Sequence, residues 1–399
     1  MNIAIDSAYL FHLKPKIKSS FPFQKLETEY KHTFFGYYDK SPFNKDDTKL
    51  LAIATNYDKK KNKSREAVVG YFDLNTSKFK EIGKTSTWSW QLGARLQWLP
   101  GECEELICYN SEVQGGLGAV IQNISTKEII RKINIPIFDI DEKGNYALGL
   151  NFSRLYRMRQ GYGYGNFSDP TKNEMAPEND GISLINLKNG KHKLLISTKF
   201  ISEFRSKKSM LNATHYLNHI SFSPCGNRFY FVHIWNKMGK RFSRGFTCGI
   251  DALDLNLIDK KENLSHYNWK TSEEILIHTS SKPNGVKFNL YKDIENTKHQ
   301  IGRSILNKSG HPSFSPDKTL IISDTYPSLY RLQNLILCTS QGVLINNSTK
   351  LYSPTKFSDS EKCDLHPRWS SSGTKICVDS SYLGSRKVLI FNIEKLIKK

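Results

Sequence analysis

The sequence predicts an all-β fold: a single seven-bladed β-propeller domain over residues 1–399, with six blades as the rival count. Three observations carry this reading. An apolar strand, a polar turn of Ser-Pro-Asp-Gly type and a second strongly apolar strand recur along the chain. The residues that open these turns, Phe43, Trp98, Ile140, Phe222, Trp269, Phe314 and Trp369, stand 42 to 55 residues apart, with one interval of 82. That matches the roughly 40 to 50 residues of a four-stranded blade. Helical periodicity is almost absent, residues 198–210 excepted.

Taken in chain order, the repeats cover 41–51, 96–108, 138–148, 220–232, the Trp269 segment, 312–322 and the Trp369 segment. The clearest carry Ser-Pro-Cys-Gly at 223–226 and Ser-Pro-Asp-Lys at 315–318. The long interval contains a Gly-, Pro- and Asn-rich stretch with Gly-Tyr-Gly-Tyr-Gly at 161–165. It reads as a loop inserted within one blade near 153–181. Ring closure predicts that an early strand, at 3–5 or 34–37, pairs with the last strand near 391–393, since closure removes an exposed edge.

Composition narrows the class. The hydrophobic fraction is 38% and the aromatic fraction 12%, values that exclude a disordered chain. No run of eighteen apolar residues occurs and the start lacks a basic leader pattern, so neither a membrane span nor a signal peptide is expected. Seven cysteines form no CxxC pair, and Cys108 and Cys377 sit in apolar runs, which suits a reducing cytoplasm. The net charge of +20 favours anionic partners: acidic glycans, nucleotide sugars, nucleic acids or membrane surfaces. Lysine runs at 59–63, 207–208 and 260–261 read as solvated surface. Zinc-finger spacing, RNP-like aromatics and a helix-turn-helix pattern are missing from the sequence, which sets nucleic acid aside as a partner. Oligomeric state stays open.

Propeller geometry turns the repeats into a site. The first strand of a blade is innermost and the second runs antiparallel, so the start of one and the end of the other reach the same channel mouth. The position three before each anchor reads Lys40, Arg95, Ile137, His219, His266, His311 and His366. The second strands end near Asn56, Asn110, Asn151, His233, His278, Asp324 and Asp379. Singly, each is an ordinary turn former or a histidine bonded to its own backbone. Together they place imidazoles and carboxylates on one rim, the donor set of a metal or acid-base site.

These motifs also carry a resemblance. Gly310-His-Pro-Ser-Phe-Ser-Pro-Asp317 with Asp324, Phe231-Val-His233, Ser265-His-Tyr-Asn-Trp269, and Asp364-Leu-His-Pro-Arg-Trp369 with Asp379 resemble the oligogalacturonate lyase-like propellers, relatives of the TolB type. The resemblance spans roughly residues 33 to 393. It implies a divalent ion, typically manganese, held by several histidines and a glutamine. The ion binds a uronate carboxylate, a base removes the adjacent proton, and the 4-linked sugar leaves by β-elimination. The implied ligands are His233, His311 and His366, with His219 or His266 as a further ligand or the base; from its place on the rim Asp324 is a further metal candidate, and Asp324 or Asp379 could instead orient a ring from behind. Two features depart from the family pattern: Ser313 stands where its closely spaced second histidine belongs, and no glutamine lies near Pro312. His32-Thr-Phe-Phe-Gly-Tyr-Tyr-Asp39 and the segment 89–98 look instead like propellers associated with surface-polysaccharide clusters.

Arg95, Arg154, Arg157 and Arg386 are candidates to grip carboxylates bidentately, Arg95 and Arg386 within the catalytic set. Trp90, Tyr162 and Tyr164 offer flat faces to sugar rings, and Lys40 completes the substrate-binding set. The expected function is therefore a metal-assisted lyase on acidic oligosaccharides or polysaccharides. The alternative is a non-catalytic propeller that binds an anionic glycan or a partner protein in surface-polysaccharide biosynthesis. Ser380 or Cys363 near His366 lacks the strand-turn-helix elbow of a nucleophile, and Gly161-Tyr-Gly-Tyr-Gly165 lacks the setting of a phosphate loop.

Overall fold

Seven antiparallel sheets make up the computed structural model, which describes residues 2–10, 16–58, 65–101, 105–259, 263–281, 285–295 and 297–397. They are the blades of a seven-bladed β-propeller. The chain packs as two compact units, 1–97 with 301–399, and 98–300. The first unit holds blade 1 (innermost strand His32–Phe34), blade 6 (Ser313–Phe314) and blade 7 (Arg368–Trp369). The second holds the sheets of blades 2 to 5.

The repeat turns form because their fourth residue accepts a left-handed backbone. Gly226, Gly373 and Lys318 have φ of 76°, 72° and 62°, and Gly226 N–H closes its turn on the Ser223 carbonyl at 2.8 Å. Beyond the turn, strands such as Ile321–Ile322 and Ile376–Val378 bury apolar side chains that fill the space between sheets. In the first unit Trp369 packs with Ile322, Leu335 and Leu337 of blade 6 and with Ile376, Val378 and Leu389 of blade 7. In the second, Cys108, Ala119 and Ile121 meet Ile137, Ile140 and Ile185. Anchors also stitch polar groups: Trp369 Nε1 donates to the Ser313 carbonyl at 3.0 Å and Trp269 Nε1 to that of Ser221 at 3.4 Å. In both, the acceptor is the residue before the preceding blade's anchor.

Ring closure uses a different early strand from those expected. Phe23–Leu26 pairs with Lys387–Asn392, aligning Phe23 with Phe391 and Leu26 with Val388. Residues 3–5 lie in the helix Asn2–Leu10, and Phe34 ends the innermost strand of blade 1. Alternation in Phe23–Leu26 is short and half polar, which hid it. Ile17–Lys18 adds a further strand to blade 6.

The segment between the second and third strands of blade 3, Tyr146–Gly149 and Gly181–Asn186, is partly helical rather than a plain loop. Asn151 caps Phe152–Met158 by accepting from Arg154 N–H at 2.9 Å. Residues 198–210 fold as the helix Thr198–Glu203 and a 3-10 turn at Lys208–Met210. Among the described residues no helix is long and apolar enough to cross a membrane. Cys108, Cys225, Cys248, Cys338, Cys363 and Cys377 are free thiols. The lysine runs at 59–63 and 260–261 lie outside the described residues.

Leu26 is fully buried among Phe43, Leu50, Phe72 and Val388. Leu26→Ala should cost about 3 kcal/mol through the cavity it leaves. Equilibrium urea denaturation should show the midpoint falling with little change of slope.

Candidate metal and histidine site

In blades 2, 4, 5 and 7 the residue three before the anchor stands outside the regular strand ladder. Arg95, His219 and His366 have φ of 50°, 56° and 47°, and the registers slip between Asn218 and Ser221 and between Leu264 and Tyr267. These are bulges, which re-aim a side chain. In blades 6 and 7 the ladder starts immediately after Pro312 and Pro367, residues without an N–H to donate.

In the first unit, His311, Asp364 and His366 place one ligand atom each within 4.8 Å of one another, all three buried. Their orientation is set by acceptors behind the rings. His311 Nδ1 lies 2.8 Å from Asp324 Oδ1, and His366 Nδ1 lies 2.7 Å from the Gly36 carbonyl. A carboxylate and a carbonyl only accept, so both Nδ1 atoms carry a proton, and Nε2 is the ring nitrogen left to face a ligand. His366 Nε2 is buried with no hydrogen-bond partner. Burial, with His311 and Arg368 beside it, holds the His366 pKa well below the ordinary histidine value, so the ring stays neutral. Two Nε2 atoms braced from behind, together with a carboxylate, suit a divalent ion.

Asp324 belongs to the support of this group. Besides His311 Nδ1 it accepts the main-chain N–H of His311 at 2.8 Å and of His366 at 3.1 Å. Its lone pairs are thus committed to orienting the His311 ring, the second of the two roles expected of it, rather than to an ion. Asp364 is the carboxylate that stands with the two rings. Its signal was legible as Asp-Leu-His, since residues two apart on an extended segment share a face, but the motif was read for its histidine alone. Tyr37 and Tyr38 were also missed. Their rings stand 4.9 Å from His366 and 5.1 Å from His311.

In the second unit His219 and His266 are in edge contact, with ring centroids 5.8 Å apart, and His278 lies 5.5 Å from His266. His233 joins other partners. Arg244 Nε donates to its Nδ1 at 3.1 Å, which leaves Nε2–H to donate to His215 Nδ1 at 2.8 Å. His215 Nε2 in turn meets the Met210 carbonyl at 3.2 Å. With both nitrogens engaged, His233 offers no lone pair to a metal, which corrects its place among the implied ligands.

The proposed arginines are occupied too. Arg95 forms a bidentate, buried pair with Asp39 at 2.8 and 3.0 Å. Arg154 spreads its guanidinium over the carbonyls of Thr171, Glu174, Met175 and His215. Arg157 binds Asp169 at 2.8 Å. Arg386 donates to the carbonyls of Trp90, Glu361 and Lys362 and lies over the Trp90 ring. Trp90, 8% exposed, packs against Trp88 and Phe34, and Tyr162 and Tyr164 are buried. None of these presents an open face to a sugar. Lys40 is half-buried.

No protein-family model matches the chain, and no curated protein matches it in sequence. Solved structures do match in fold. Oligogalacturonate lyase from Vibrio parahaemolyticus is 12% identical, with 94% of each chain covered and a TM-score of 0.66. The fold is similar to that of oligogalacturonate lyase. A second such lyase, in complex with manganese, is 12% identical over 97% of this chain and 100% of that one, with a TM-score of 0.64. TolB from Acinetobacter baumannii covers 82% of this chain and 65% of its own at 13% identity, and its TM-score of 0.43 makes too loose a superposition to argue from.

Burial also lowers the pKa of His215 and His233, and that of His32 to about 3. Each protonates in the unfolded chain near 6.5 but stays neutral in the fold. Their contribution to stability is therefore present above about pH 6.5 and lost as pH falls below it, because the unfolded chain then binds more protons. Urea midpoints measured from pH 8 to 5 should drop on the acid side. His233→Gln should flatten that drop while lowering stability at pH 8.

Proposed function

We propose that this chain is a metal-assisted lyase that cleaves uronate-containing glycans by β-elimination. The observation that carries the reading is the His311, Asp364 and His366 group, whose two rings are braced to present Nε2 beside a carboxylate. Likeness in fold to oligogalacturonate lyases, one of them in complex with manganese, supports both the reaction class and the ion. The hydrogen next to a carboxylate is very weakly acidic, and a divalent ion held there would withdraw the negative charge that develops when it is removed.

The chain's own residues supply the rest. Asp324 fixes the tautomer and the tilt of His311 and ties the main chain at His366 to the same carboxylate. Tyr37 and Tyr38 wall the rings and restrict water. The departure from a His-x-His pattern is then a substitution of donor, Asp364 standing for one imidazole and adding negative charge to the set.

Protein purified without chelator or affinity metal should contain about one divalent ion per chain. Incubated with oligogalacturonate, it should generate an unsaturated product that absorbs in the ultraviolet. His311→Ala should lose the ion and the product with the fold intact. Metal-loaded protein that binds the glycan with steep salt dependence but releases no unsaturated ends would establish the binding module in place of the lyase.

A further inference from the structure

Lys362 stands beside the three-ligand group, and nothing so far gives it a role. Its ammonium lies 2.9 Å from Asp364 Oδ2 and 4.6 Å from the centre of the Tyr326 ring. Tyr326 packs edge-on against His311 at 5.7 Å. The Asp364 side chain is 2% exposed and that of Lys362 29%, so the lysine reaches a buried carboxylate from the solvent side. The contact is an ion pair at close range, made by a side chain that reaches back to solvent.

The main chain beneath the lysine is firmly held. Arg386 donates to the carbonyls of Glu361 and Lys362, each at 2.7 Å, Gln91 Nε2 to that of Lys362 at 2.7 Å, and Gln333 Nε2 to that of Cys363 at 3.0 Å. Movement is thereby confined to the side chain, a flexible four-carbon stem bearing a compact charge. An ammonium and a divalent ion cannot share one buried carboxylate without strong repulsion.

We propose that Lys362 is an exchangeable counter-ion. It neutralises Asp364 until a divalent ion enters, is displaced by that ion, and then receives the carboxylate of an acidic sugar. The inference rests on the metal reading above and deepens it. Binding becomes ordered, ion before sugar, and the coupling is reciprocal, each ligand tightening the other.

The test is calorimetric. Manganese chloride is titrated into chelator-treated full-length protein, wild type against Lys362→Met, and trigalacturonate into each with and without manganese. Lys362→Met should bind manganese on the order of tenfold more tightly and, once loaded, bind trigalacturonate on the order of tenfold more weakly. Wild type should gain more sugar affinity on loading than the variant does. Lys362→Gln provides a second neutral side chain should methionine disturb the packing on Tyr326. Lys362→Arg, which keeps the charge, should stay near wild type in both titrations. Unchanged or weaker manganese binding in the neutral variants, or sugar affinity in wild type indifferent to manganese, overturns the role of Lys362. A wild type that takes up no manganese marks the separate failure of the metal reading, visible before any variant is made.

Discussion

The carboxylate of Asp324 is the interaction on which the candidate site depends. It closes the second strand of blade 6, accepts the N–H of His311 in its own blade and that of His366 in the next, and grips the His311 ring. One buried group thus couples blade register to ligand orientation. The same device recurs with other chemistry. Asp379 accepts the N–H groups of Phe35 and Gly36, and Gly36 supplies the carbonyl that orients His366. Asn110 exchanges two hydrogen bonds with the Ile137 backbone. Residues at this repeat position therefore act first as fasteners between blades. They become part of a site only where the residue they fasten carries an imidazole.

That dual use explains what the sequence made legible and what it concealed. Turn spacing and aromatic anchors revealed the blades because each blade must bury a strand pair against its neighbours, and that demand leaves a periodic trace. The in-phase histidines were visible for the same reason. Which nitrogen faces the ligand was not, since it depends on acceptors far away in sequence, such as Gly36 behind His366. Asp364 lies outside the repeat, in the connection that leads into blade 7, so the in-phase pattern does not point to it and only the local Asp-Leu-His spacing does. His233 misled because its position matched the pattern, while Arg244 and His215, which consume its nitrogens, carry no periodic signal.

The arginines show a related limit. A guanidinium has five donors in a fixed fork, which suits a substrate carboxylate and equally suits a cluster of main-chain carbonyls at a loop or helix end. Arg154, Arg244 and Arg386 serve the second purpose here, tying the insertion, the helix Thr198–Glu203 and the segment at 361–362. Composition and motif cannot separate the two uses, because the distinction lies in whether neighbouring carbonyls have other donors. A strongly basic chain is therefore a weaker indicator of anion binding than its net charge suggests.

The strand that closes blade 7 has a consequence for biosynthesis. Phe23–Leu26 and Ile17–Lys18 find their partners in Lys387–Asn392 and Lys350–Tyr352, segments synthesised long after them. The early strands must wait unpaired while the intervening blades emerge, a long-range closure that is slow by its loop entropy. His366 and Asp364 sit just upstream of the Lys387–Asn392 strand, so the group of ligands and the closing strand emerge together. A product that stops short of them would be left with an unpaired strand edge.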